Sequence, residues 1–232
     1  MPPAWVFGPF IVKVELVLIA ISIALGVIVF LFIRPFSKNE MKQRMDEIFQ
    51  LLLTFMICLW LGKILFHWST FIEDPVAILA YPSNSQAFYV GILLTAVYSR
   101  WRITSHMDHV TYFQWLFSWL FVFIASSFVY QFIQISIEND GNGLYLSLLV
   151  MLLVGALFSL QRASLYGITS SLLFFWSLGQ LAISFFWQTS IFQFHLHTLF
   201  YLVLLIMSIV HIIYWRRRMS SHTGDESGGF RI

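Results

Sequence analysis

Apolar residues fall in long unbroken blocks, not in the alternation of a half-buried strand or the single stripe of a surface helix. A helix needs roughly 20 apolar residues to cross about 30 Å of hydrocarbon. Blocks of that order recur almost from end to end, and seven membrane-crossing helices are expected at 10–33, 47–66, 86–101, 112–135, 143–160, 165–187 and 195–215. The pattern predicts one all-α polytopic domain over residues 1–218 and a polar Ser/Gly-rich tail over 219–232, expected to be disordered.

Composition agrees with the blocks. At 59% hydrophobic and 10% charged, the chain has too little polar surface to enclose a water-soluble core. Of 13 Lys and Arg, 11 sit in four places: Arg34, Lys38, Lys42 and Arg44; Arg100 and Arg102; Arg162; and Arg216, Arg217, Arg218 and Arg231. With seven spans these places all share one side, which the positive-inside rule makes cytoplasmic. The N-terminus is then outside and the C-terminus inside. The first block has no basic residue ahead of Lys13 and no small-residue cleavage pattern, so it is expected to stay as a span. Cys58 lies within the second block and is expected to be a small packing residue.

Two connections are longer than the others. The first, KNEMKQRMDEIF, is expected to be a solvated helical extension near anionic head groups. The second, residues 67–85, carries Trp68, Phe71, Ile72, Val76, Ile78, Leu79 and Tyr81 and is expected to lie at the membrane interface.

Ionisable and polar groups inside hydrocarbon are costly and mark candidate sites. Lys13 and Glu15 fall near the outer end of the first span. Lys63 and His67, four residues apart, share a helix face at the outer end of the second. Gln86 and Tyr89 begin the third span at the same depth, and Gln180 lies in the outer half of the sixth. Lys13 or Lys63 would suit a lipid phosphate; a Lys–Glu pair with side chains reaching back to water is the plainer reading. His195 and His197, two apart, would diverge by about 200° on a helix and are expected to be interfacial. His106, Asp108 and His109 read as a solvated loop, and His211 as a packing or locally bonded residue. Neither a metal nor another cofactor is expected, and no nucleic-acid partner.

The segment LGKILFHWSTFIEDPVAILAYPSNSQAFYVGILLTAVYSRWR, residues 61–102, resembles bacterial prolipoprotein diacylglyceryl transferases, and weaker likenesses extend over nearly the whole chain. Gly8-Pro9 leading to Lys13, Ile64-Leu65-Phe66, Asp74-Pro75 with Ile78 and Ala80, and Leu144-Tyr145 follow that family's pattern. The resemblance implies seven helices, an outer N-terminus and a place in a bacterial cytoplasmic membrane. It also implies transfer of a diacylglyceryl group from phosphatidylglycerol to a lipoprotein cysteine. The reactive positions differ. Tyr89 and Val90 stand where the family has His-Gly, and only Gly91 of its His-Gly-Gly remains. Trp60 replaces an arginine, 121–125 lacks another, and Trp176, Ser177, Gln180, Ser184 and Trp187 replace a Tyr-Gly-Arg-Glu-Arg series.

A tyrosine with a pKa near 10 is a poor base at neutral pH, so a non-catalytic relative is expected. Its partners would be a phospholipid, phosphatidylglycerol first, a lipoprotein precursor or another membrane protein. The candidate head-group residues are Lys13, Glu15, Lys63, His67, Tyr89, Gly91 and Gln180. The alternatives are an active transferase with a shifted site, and an accessory membrane subunit or small-solute transporter.

Overall fold

The computed structural model describes residues 4–7, 10–75, 84–103, 107–138 and 142–226. Two strands, β1 (Ala4–Phe7) and β2 (Phe10–Lys13), pair antiparallel with Ala4 opposite Lys13 and Phe7 opposite Phe10. Helices follow as α1 (Val14–Ile33), α2 (Lys38–Phe66), the short α3 (Trp68–Glu73), α4 (Ser85–Tyr98), α5 (His109–Ile133), α6 (Gly143–Ser159) and α7 (Leu165–Ser184). A two-residue hairpin, β3 (Ser190–Ile191) with β4 (Phe194–His195), precedes α8 (Thr198–Glu226).

Each of the seven apolar blocks coincides with a helix, and the protein is an all-helical membrane protein. Among the described residues, five helices are long and apolar enough to cross a membrane: Val14–Ile33, Lys38–Phe66, His109–Ile137, Leu165–Ser184 and Thr198–Arg218. Helix α6 is apolar but shorter, and α4 runs on into a wider π-helical turn at Ser99–Ile103. Their outward faces are greasy, as lipid-facing sides must be: Leu53, Met56 and Ile57 on α2 and Val203, Ile206, Met207 and Val210 on α8 are exposed.

The expected boundaries shift at several places. The block expected to begin helical at Phe10 starts as a strand, because Phe10-Ile11-Val12 is β-branched and aromatic and has Ala4–Phe7 to pair with. The last helix begins at Thr198 and not at His195, which belongs to β4. Helix α7 stops at Ser184, leaving Phe185, Phe186 and Trp187 beyond its end. Helix α8 continues through Glu226 into the stretch expected to be disordered. Of the expected interfacial segment, α3 is present, with Trp68 and Ile72 exposed; Val76, Ile78, Leu79 and Tyr81 lie outside the described residues, as does His106.

Helix α5 is the centre of the bundle. Of its most apolar window 61% is buried, against 17–39% in the other four long helices. It packs against α1, α6 and α7, while α2 pairs with α4 and α7 with α8. Small residues set the tightest crossings, as expected where van der Waals packing drives helix association. A Cβ on Gly62 would lie 2.8 Å from the Ala87 carbonyl oxygen, and one on Gly26 would lie 2.8 Å from the Ser126 amide nitrogen.

Contacts between helices define two ends. At the basic end α2 enters through a capping box, with Glu40 Oε2 accepting from both the Ser37 amide (3.0 Å) and the Ser37 hydroxyl (2.6 Å). Arg44 corrects the solvated reading of this connection. Its side chain is 1% exposed, ion-paired with Glu47 at 2.8 Å and donating to the Thr111 carbonyl at 3.2 Å. Gln114 donates to Glu40 at 3.0 Å, so α2 and α5 are tied twice. Asp108, the N-cap of α5, has its carboxyl held below the usual range, chiefly by the Thr111 side chain, although no cap hydrogen bond of ordinary geometry forms. Nearby, Tyr112, Phe113, His211 and Trp215 form an aromatic knot in which the Tyr112 hydroxyl and His211 Nε2 are 3.1 Å apart. The other end is closed by β3–β4 and is called the hairpin end.

Candidate functional site

The hairpin end carries the polar groups least explained by packing. Asn84 starts α4 by accepting from the Ala87 amide at 2.8 Å. This cap fixes Ser85 and Tyr89, one turn apart, on the face toward β3–β4. The Ser85 hydroxyl donates to the His195 carbonyl at 2.5 Å, and the Tyr89 hydroxyl accepts from the His197 amide at 2.9 Å. Phe88, on the next position of the turn, stacks on Phe194 with centroids 4.5 Å apart. Two side-chain bonds and one ring stack therefore dock the hairpin onto α4.

Between these elements lies a cleft of about 590 Å³. Ser85 and Tyr89 form one wall, Ser184 through Thr189 another, and His195 to Thr198 the third. Phe185, Phe186 and Trp187 at its margin are 70%, 77% and 54% exposed. Such a mouth offers hydroxyl, amide and imidazole groups beside bare aromatic surface, the surroundings an amphiphile needs. Among the described residues its lining holds no Lys, Arg, Asp or Glu.

The sequence-predicted residues divide among several places. Tyr89 lines the cleft. Gln180 is fully buried behind it, and neither of its amide atoms has a hydrogen-bond partner in the protein. Gly91 serves the α2–α4 crossing, where a Cβ would come within 3.2 Å of the Leu59 Cα. Lys63 and His67 are half-buried at the same end of the bundle but do not line the cleft. His67 ends α2, its amide donating to the Lys63 carbonyl at 3.0 Å, and leads into α3. Glu15 is half-buried in the first turn of α1. Lys13 closes β2, and its side chain lies outside the described part of the structure.

The two histidines of β4 and its exit, His195 and His197, are both exposed and both line the cleft. The 200° divergence expected of them does not apply, because no helix carries them. Among the described residues no group of three His, Cys, Asp or Glu could hold a metal ion. Cys58 is a buried free thiol on α2, as its place in an apolar block suggested.

Sequence reasoning missed Ser127, Tyr145, Trp176, Thr189 and Tyr201. These belong to the same half of the bundle as Gln180 and are buried with polar atoms unpartnered. Trp176 and Gln180 are one turn apart on α7 and were visible as a pair with period four. Tyr145 and Tyr201, each near the start of its helix, could be singled out only once the helices were placed.

No protein-family model, no curated protein and no solved structure matches this chain.

Proposed function

We propose that this protein is a lipid-binding integral membrane protein, a non-catalytic relative of the prolipoprotein diacylglyceryl transferases. One observation carries the proposal. The cleft at the hairpin end joins polar groups to exposed aromatic surface in a bundle whose other faces are lipid-like. A head group would meet Ser85, Tyr89, His195 and His197, while acyl chains would lie along Phe185, Phe186 and Trp187. Tyr89 stands where the transferase resemblance expects its histidine. Here its hydroxyl is used to hold the His197 amide, a positioning role that needs no proton transfer. Lys63, which does not line the cleft, would attract phosphate only from its surroundings.

The proposed topology has seven spans, the hairpin end outward and the basic end at the cytoplasm of a bacterial cell. It is supported by the four clusters of basic residues. A single cysteine at position 162, in a Cys58→Ser background, should react with membrane-impermeant maleimide only after the cells are opened. Labelling of intact cells would reverse the orientation.

The central experiment has two readouts. In cells depleted of the authentic transferase, expression of this chain should leave prolipoprotein mass unchanged. A diacylglyceryl mass shift would make it an enzyme with a displaced site. The purified protein should retain phosphatidylglycerol above a control membrane protein of similar size, and Lys13→Ala with Lys63→Ala should weaken this modestly. Retention no greater than the control would remove phosphatidylglycerol as its lipid, and co-purification of no lipid at all would remove the lipid-binding proposal.

A further inference from the structure

Behind the cleft lies a polar tract that helix packing alone leaves unsatisfied. Ser127 on α5, Tyr145 on α6, Trp176 and Gln180 on α7, Thr189 in the following loop and Tyr201 on α8 are between 0% and 5% exposed. Every one carries a side-chain oxygen or nitrogen with no hydrogen-bond partner of ordinary geometry in the protein. They are nonetheless gathered together. The Tyr145 hydroxyl stands near Ser127, Trp176 and Gln180, and the Tyr201 hydroxyl stands near Thr189 and within electrostatic range of Tyr145 and Tyr89. The Trp176 and Tyr201 ring centroids are 6.5 Å apart. Thr189 and Tyr89 also line the cleft, so the tract reaches from the cleft wall into the bundle.

Leaving such atoms without a partner costs about 1–3 kcal/mol each, and more where hydrocarbon surrounds the helix. The fold has a cheap local remedy that it uses elsewhere. The hydroxyls of Thr95, Ser118 and Thr169 each donate to the carbonyl one turn back, at 2.7 Å. The tract instead brings its groups together from five separate segments without such a bond, and local rules broken in this way are expected at functional sites.

Its chemistry restricts the ligand. Trp176 Nε1 only donates, the Gln180 amide donates and accepts, and the four hydroxyls do either. None of these six side chains carries a formal charge. A phosphate placed among them would be a buried ion without a counter-charge, whereas a hydroxyl or ester carbonyl would find partners. The aromatic mouth adds a place for a chain. We propose that the cleft and this tract bind the uncharged, hydroxyl- and ester-bearing end of a lipid, its acyl chain lying along Phe185, Phe186 and Trp187. This rests on the lipid-binding function proposed above and specifies the head group.

A matched pair of probes tests it: 1-oleoylglycerol and 1-oleoylglycerol 3-phosphate, which share the chain and ester and differ by the phosphate. Each is titrated onto the full-length protein in a detergent without a sugar head group. 1-Oleoylglycerol should bind at least about tenfold more tightly. Tyr201→Phe and Gln180→Leu should each weaken it about tenfold, the ratio for one lost hydrogen bond. Their ligand-free melting temperatures should stay level or rise, since an unpartnered polar group has been replaced by an apolar one. Should either variant fail to fold, Thr189→Val at the cleft wall provides the same comparison.

Binding of 1-oleoylglycerol that none of the variants weakens overturns the inference. So does tighter binding of the phosphate, insensitive to the variants, although lipid binding as such then stands. Binding of neither probe, together with co-purification of no lipid, removes both. Equal competition by free glycerol would make this a site for a soluble polyol and overturn the assignment to a lipid.

Discussion

The two ends of the bundle bury polar groups in opposite ways. At the basic end a full charge is taken out of water and met at once: Arg44 has Glu47 at 2.8 Å and the Thr111 carbonyl at 3.2 Å, although its Nε, Glu47 Oε2 and His211 Nδ1 have no hydrogen-bond partner of ordinary geometry. Tyr112, on the next position of α5, has His211. At the hairpin end the buried groups are neutral and more numerous, and they lie near one another without a hydrogen bond of ordinary geometry. Burying an ion without a partner is far more costly than burying a hydroxyl, so the charged end has no latitude and the neutral end has some. The difference separates a joint that holds helices together from a surface kept available for something else.

The comparison is broken most directly at Arg44. Arg44→Ala leaves the half-buried Glu47 carboxylate without its counter-charge, and the expected loss is about 3–5 kcal/mol of stability. It should be read by thermal melting beside Glu47→Ala and the double variant. A double variant destabilised by the full sum of the two single losses would mean the pair contributes nothing. A milder test sharpens the contrast by making the same chemical change at both ends. Tyr112→Phe should cost about 1 kcal/mol for its bond to His211, whereas Tyr201→Phe should cost nothing in the absence of ligand. Equal losses at the two positions would erase the distinction between the ends.

The smallest expected effect concerns acid. Because the folded state holds the Asp108 carboxyl below its ordinary value, its contribution to stability is complete above the ordinary carboxylate range. It fades as pH falls through the lowered value. Asp108→Asn, which keeps a capping side chain, should therefore flatten the acid limb of a melting-temperature profile and leave neutral pH nearly unchanged. An unaltered acid limb would show that Asp108 is not responsible.

What could be read from the sequence follows the same division. Block length placed a helix in each of the seven apolar stretches, five of them long and apolar enough among the described residues to cross a membrane, because the hydrocarbon requirement acts on stretches of residues and tolerates local variation. It did not mark the strand at Phe10–Lys13, which depends on pairing with Ala4–Phe7, or the early stop of α7 at Ser184. Tyr89 and Gln180 were legible as polar interruptions of apolar runs. Tyr145 and Tyr201 were not, since an aromatic ring within such a run looks like core until its polar atom is found without a partner. Arg44 was misread for the converse reason. A charged connector normally stays in water, and only the approach of the Thr111 carbonyl from α5 makes its burial tolerable.

The bonds that dock the hairpin onto α4 join residues 110 and 108 positions apart in the chain. During synthesis the amino-terminal helices enter the membrane first, so Ser85 and Tyr89 are in place long before His195 and His197 have been made. The third wall of the cleft arrives with the hairpin and the start of α8. Any lipid that binds there must do so after insertion is complete, and a chain cut short before α8 would be a membrane protein with no cleft to fill.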